Sequence, residues 1–109
     1  MKIPPDAIIL PQKLRDYLLV PRKRDDKSRF LAAGGFSRDA WPLLEQAIRE
    51  LARSVEAQPA RIASPHGRKW IVDGILTAVH GKDRPVRLVW MQRPDESIHF
   101  VTLVPRRKG

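Results

Sequence analysis

A chain of 109 residues and 12.5 kDa has room for one hydrophobic core and not for two. Its 21 Lys and Arg against 12 Asp and Glu leave a formal charge of +9 and a pI near 10.9, which points to an anionic partner such as nucleic acid or an anionic surface. With no cysteine, disulfides, thiolate chemistry and cysteine-based zinc sites are excluded.

The N-terminal stretch "MKIPPDAIILPQK" has only a brief apolar run between prolines, with no secretory h-region or small-residue cleavage site. No later run approaches the roughly 20 apolar residues of a membrane-spanning helix. The expectation is a cytoplasmic protein without a membrane partner, either free-standing or the excised end of a larger exported polypeptide. Residues 1–10 read as an N-terminal extension of a single domain over 1–109. It is followed by a helical half (11–58), an antiparallel sheet (59–105) and a basic tail (106–109), expected to be mobile because it has no apolar anchor.

"PQKLRDYLLVP" places Leu14, Tyr17 and Leu18 at i, i+3 and i+4 between prolines, which predicts a short helix with one apolar face. The next stretch, "VPRKRDDKSRFLAAGGF", packs five cations (Arg22, Lys23, Arg24, Lys27, Arg29) and two aspartates into eight positions before turning apolar. Its second half predicts another short helix, with acids at the positive end and Gly34 or Gly35 as the left-handed stop. "FSRDAWPLLEQAIRELARSV" predicts the longest helix, capped by Ser37 or Asp39. Pro42 is tolerable in its first turn, and Leu44, Ile48, Leu51 and Val55 form a buried stripe.

From about residue 60 the helical period gives way to β-branched runs: "RIAS", "KWIVDGILTAV", "VRLVWMQ" and "IHFVTLV". The joining segments are short and rich in Gly, Pro and Asp, which implies an antiparallel meander. The predicted fold class is α+β: N-terminal helices packed on one face of a four-stranded antiparallel sheet. Strict alternation puts Ile98, Phe100, Thr102 and Val104 on one side of the last strand and His99, Val101 and Leu103 on the other. Both faces are substantially apolar, so the face away from the helices must meet a terminal segment, a partner or a ligand. Charge divides unevenly, +3 over residues 1–58 and +6 over 59–109. The sheet and its loops therefore carry most of the positive field, with the loop at 22–24 as a second focus.

The chain lacks a His-x-x-x-His pair, a Ser-His-Asp constellation, a Walker loop and a dinucleotide-type glycine motif, so no metal or cofactor is expected. His66 and His80 fall in predicted turns, whereas His99 lies in a strand and suits a general acid or base near neutral pH. What survives is chemistry that needs only cations and hydrogen-bond donors. Metal-independent RNA cleavage is one such reaction: the 2′-OH attacks its own phosphate while Lys, Arg and hydroxyl groups stabilise the added negative charge. Lys27 and Arg29 stand where the loop becomes a helix anchored by Phe30 and Leu31, so their charge can be aimed. Arg22, Lys23 and Arg24 are either solvated surface or a diffuse RNA attraction, joined in the second case by Arg68, Lys69 and Arg87 of the sheet half. Trp90 and Thr102 are either structural or, on an open sheet face, able to stack or hydrogen-bond a nucleotide.

The ordered series "KLRDYLL", "DKSRFLAAGGF", a helix, "HGRKWIVDGIL", "VRLVWM" and "FVTLVP" resembles, over roughly residues 11–105, the bacterial family known as domain of unknown function 6883. That resemblance implies a toxin of a toxin-antitoxin or polymorphic-toxin system, similar in layout to the barnase, EndoU, colicin and RelE-like ribonuclease group. It nominates Lys27, Trp90 and Thr102 as site residues and implies an acidic antitoxin or immunity protein as partner. The combined expectation is a metal-independent endoribonuclease acting on tRNA, mRNA or rRNA, with Lys27, Arg29, Thr102 and His99 catalytic. The alternatives are a non-catalytic nucleic-acid-binding module and a protein-interaction domain docking through the open sheet face.

Overall fold

Pro11 opens α1 (Pro11–Lys13), where its missing N–H forfeits no helical bond. The helix then widens into a π-helical turn over Leu14–Leu18, closed by Leu19 N–H donating to the Leu14 carbonyl at 3.0 Å. Leu14 and Leu18 are fully buried, and the turn leaves Tyr17 half exposed. The computed structural model describes residues 1–24, 26–61 and 67–106.

Helix α2 (Ser28–Ala33) ends at Gly34, and Gly35 supplies the left-handed residue at φ +87°. Helix α3 (Trp41–Ser54) carries Pro42 in its first turn and buries Leu44, Ile48 and Leu51, as the apolar period predicts; Val55 is half buried just past its end. Neither Ser37 nor Asp39 occupies its N-cap. That position is Ala40, and the Ser37 hydroxyl accepts a 3.3 Å bond from Ala40 N–H one turn earlier.

Four antiparallel strands follow in the order β1 (Gln58–Pro59), β2 (Arg68–Leu76), β3 (Arg84–Gln92) and β4 (Ile98–Pro105). The predicted meander is present, but its first strand lies before "RIAS": Arg61 is in a bend, and residues 62–66, including His66, lie outside the described residues. Trp70, Val72, Gly74 and Leu76 of β2 face the helices with Val86, Leu88 and Trp90 of β3. Gly74 leaves room for Leu51, whose Cδ1 would sit 2.6 Å from an added Cβ.

The β3–β4 register slips between Val89 and Trp90. Trp90 pairs with Phe100 but Val89 pairs with Thr102, so Val101 is an extra residue, a β-bulge. Strict alternation therefore fails in β4: Ile98, Phe100 and Leu103 face the core, while His99, Thr102 and Val104 share the opposite face. The expectation that Thr102 sides with Phe100 is corrected by that one residue.

The N-terminal extension, residues 1–10, packs against the core. Ile3, Ala7 and Ile9 are buried, and Ile8 bridges the β4 edge, donating to the Ile98 carbonyl and accepting from Phe100 N–H, both at 2.8 Å. At the other end Arg106 N–H donates to the Pro85 carbonyl at 3.0 Å, so the tail begins ordered; residues 107–109 lie outside the described residues.

Candidate functional site

The bulge sets three rows across the face turned away from the helices. Lys69, Met91 and His99 form one, Ile71, Val89 and Thr102 the next, and Asp73, Arg87 and Val104 the third. Tyr17, brought by the π-helical turn, stands at the β4 edge, where it lines a groove of about 480 Å³ with Leu10, Gln12, Lys13, Val101 and Thr102.

Lys27, at the N-cap position of α2, lies beside Tyr17 at the margin of this groove. The start of that helix is fixed by Asp26, whose Oδ1 accepts from Ser28 Oγ at 2.6 Å and from Ser28 N–H at 2.9 Å. Those bonds keep the Asp26 carboxyl below its ordinary pKa, the Ser28 hydroxyl contributing most. Buried Leu31 and half-buried Phe30 fix the helix to the core. Lys27 Nζ donates to the Tyr17 phenolic oxygen at 3.1 Å, and the Arg22 guanidinium lies 4.7 Å from the Tyr17 ring centroid. The Thr102 hydroxyl has only a long 3.4 Å contact to the Leu103 carbonyl, which leaves its hydrogen free to turn to the phenol. The Thr102 hydroxyl beside it, then the Lys27 ammonium, hold the Tyr17 phenol below its usual pKa.

His99 stands on the same face, in a neighbouring pocket of about 270 Å³ with Lys13, Met91 and Arg93. Ser97 Oγ donates to Asp95 Oδ1 at 2.6 Å and lies 3.0 Å from His99 Nε2. With its one hydrogen directed to Asp95, Ser97 accepts from the ring, so Nε2 carries the proton and Nδ1 is the acceptor. Asp95 is in turn held below its ordinary pKa, chiefly by Ser97. The arrangement joins an oriented imidazole to a Lys–Tyr–Thr cluster, which is suited to stabilising a phosphate anion and moving a proton beside it.

The other expected residues divide. Arg22, Lys23 and Arg24 are all exposed, and of the three Arg22 lies over the Tyr17 ring. Arg29 is exposed on α2 and makes no hydrogen bond to Lys27, Tyr17 or Thr102. Lys69 shares the row of His99, whereas Arg68 lies on the opposite face, its guanidinium 5.8 Å from the Trp70 ring. Arg87 is on the open face, but its Nε and Nη2 donate to Asp73 at 2.8 and 3.0 Å, which depresses the Asp73 carboxyl and occupies the cation.

Trp90 cannot stack a base: it is 0% exposed, its ring edge-on to Phe100 at 5.4 Å. It contributes instead to the wall of a small apolar pocket on the helix side with Ile3, Pro4 and Arg53. Tyr17 and Lys13 were missed as site residues because the stripe "LRDYLL" reads as core. The available signal is that Tyr17 alone in that stripe ends in a polar group, with Lys13 four residues before it. Among the described residues no three His, Asp or Glu side chains converge as metal ligands would. No helix among them is long and apolar enough to cross a membrane.

A family model described as Domain of unknown function (DUF6883) matches residues 5–107. Among solved structures, the fold matches a chain of the contact-dependent growth inhibition toxin–immunity protein complex from Klebsiella pneumoniae 342. The TM-score is 0.72 at 14% identity, over 94% of this chain and 95% of that one. A search of curated proteins finds no match.

Proposed function

This chain belongs to the family described as domain of unknown function 6883, and from that premise we propose that it is the toxin of a toxin–immunity pair and a metal-independent endoribonuclease. The observation that carries the reading is the Lys27–Tyr17–Thr102 cluster, set beside His99 on one face of a protein of charge +9. The solved neighbour is a toxin–immunity complex, and the charge favours the toxin side of such a pair. An inhibitor that covers a nucleic-acid site carries the opposite sign. The corresponding partner is an acidic immunity protein.

In the reaction, the ribose 2′-oxygen forms a bond to phosphorus and the bond from phosphorus to the 5′-oxygen breaks, giving a 2′,3′-cyclic phosphate and a 5′-hydroxyl. His99, through Nδ1, takes the proton from the 2′-OH, and Lys27 with the Tyr17 and Thr102 hydroxyls stabilises the charge on the non-bridging oxygens. The departing 5′-oxygen takes up a proton from the Tyr17 phenol or from water.

The test is incubation of the purified, immunity-free protein with RNA in excess chelator, followed by analysis of the product ends. Cyclic phosphate termini and complete resistance of 2′-O-methylated RNA are expected; intact RNA, or termini bearing 5′-phosphate, would refute the reading.

A further inference from the structure

Lys13 is the feature the reaction above leaves unused. It lines both the groove of Tyr17 and Thr102 and the pocket of His99 and Arg93, and the two cavities share Leu10, Lys13 and Val101 as a common wall. Half-buried, it makes no ion pair to any carboxylate among the described residues. The nearest acid on its own segment, Asp16, is occupied by Arg38 at 2.9 Å and Arg15 at 3.4 Å. Lys13 is thus a cation in the last turn of α1, set between two cavities, with no counter-ion among the described residues.

The spacing of the cavities fits a chain of nucleotides. His99 and Thr102 occupy successive rows on the open face, so their side chains stand roughly 7 Å apart, two residues of strand rise. That is about the distance one nucleotide spans along an extended strand, roughly two residues of polypeptide. The larger cavity, about 480 Å³, falls within the range of about 300–1,000 Å³ that small-molecule sites occupy, and the smaller, about 270 Å³, lies just below it. Their walls are of the right kind: Leu10, Val101 and Met91 offer apolar surface to a base or ribose, and Lys13 and Arg93 offer cations to phosphate.

We propose that the two cavities are subsites for consecutive ribonucleotides and that Lys13, on their shared wall, binds the phosphate that joins them. This rests on the endoribonuclease reading and deepens it, because it sets the smallest specific ligand at a dinucleotide. The Tyr17–Thr102 groove and the His99 pocket then act as one site, with the scissile phosphate between them.

The experiment measures binding of a 2′-O-methyl dinucleoside monophosphate and of a nucleoside 3′-monophosphate, alongside cleavage of unmodified RNA, for wild type, Lys13→Ala and Lys13→Arg. Wild type should bind the dinucleotide at least tenfold more tightly than the mononucleotide. Lys13→Ala should erase that preference and lower kcat/KM at least tenfold, and Lys13→Arg should retain most of both, which separates loss of charge from loss of fold. If wild type cleaves RNA and Lys13→Ala keeps both the preference and the rate, the inference is overturned and the endoribonuclease reading stands. If wild type leaves RNA intact yet binds the dinucleotide in a Lys13-dependent way, the inference holds as a binding site and the endoribonuclease reading falls.

Discussion

Tyr17 is the residue on which the site turns, and it is the chain's single tyrosine, so its phenolate absorbance titrates it alone. The Thr102 and Lys27 contacts favour the phenolate in the folded state, so the midpoint should fall below the unperturbed value of about 10. The sign follows: the associated stability is fully present above the unfolded pKa and is lost as pH falls through the depressed folded one. Thr102→Val and Lys27→Ala should each move the midpoint upward in ultraviolet titrations of the folded variants. A midpoint that neither substitution moves would place the three side chains apart. The rows of the open face also explain which cations were legible from sequence. Lys27 follows from its place at a helix start, but the Arg87–Asp73 ion pair joins residues 14 apart that only strand register brings together.

At the scale of elements, the amphipathic period located the first helix and the longest one with its buried stripe, because burial of one face determines both the sequence pattern and the packing. Acids at its start and a glycine stop located the short helix between them. Ile48 is fully buried at the centre of α3, so Ile48→Ala should cost about 2–5 kcal/mol in urea unfolding. The same variant should keep near-normal RNA binding per folded molecule. A loss below about 1 kcal/mol would mean that α3 is not seated on the sheet as described. The bulge at Val101 was not legible. "FVTLV" contains neither Gly nor Pro to mark it, and strict alternation is the default for a strand. Yet that extra residue is what moves Thr102 from the side of Phe100 to the side of His99, so the site depends on the feature the sequence hides best. The π-helical turn is similar: the stripe predicts a helix, but only the wider turn closed by the Leu19-to-Leu14 bond fixes where Tyr17 stands relative to β4.

Across the whole molecule, the +9 charge and the two-sided sheet were readable from composition and alternation, and the charge favours an anionic partner. They do not distinguish a binder from an enzyme, because a diffuse positive field and a directed cation look alike in a sequence. The two kinds of cation differ physically: Lys23 and Arg24 are exposed in a loop, whereas Lys27 is bonded to Tyr17 from a helix start. Under the proposed function, the first kind of charge contributes to affinity and its salt dependence, the second to the rate of a chemical step. The most direct measurement is therefore single-turnover RNA cleavage in chelator, with RNA affinity measured in parallel, for wild type, Lys27→Ala and a Lys23→Ala/Arg24→Ala double variant. Lys27→Ala should slow cleavage by about a hundredfold or more while binding changes little. The double variant should bind more weakly, with a shallower salt dependence, and cleave at nearly the wild-type rate once saturated. Small and equal effects of the two variants on both quantities would contradict a catalytic Lys27 and leave the cluster around Tyr17 without a catalytic role.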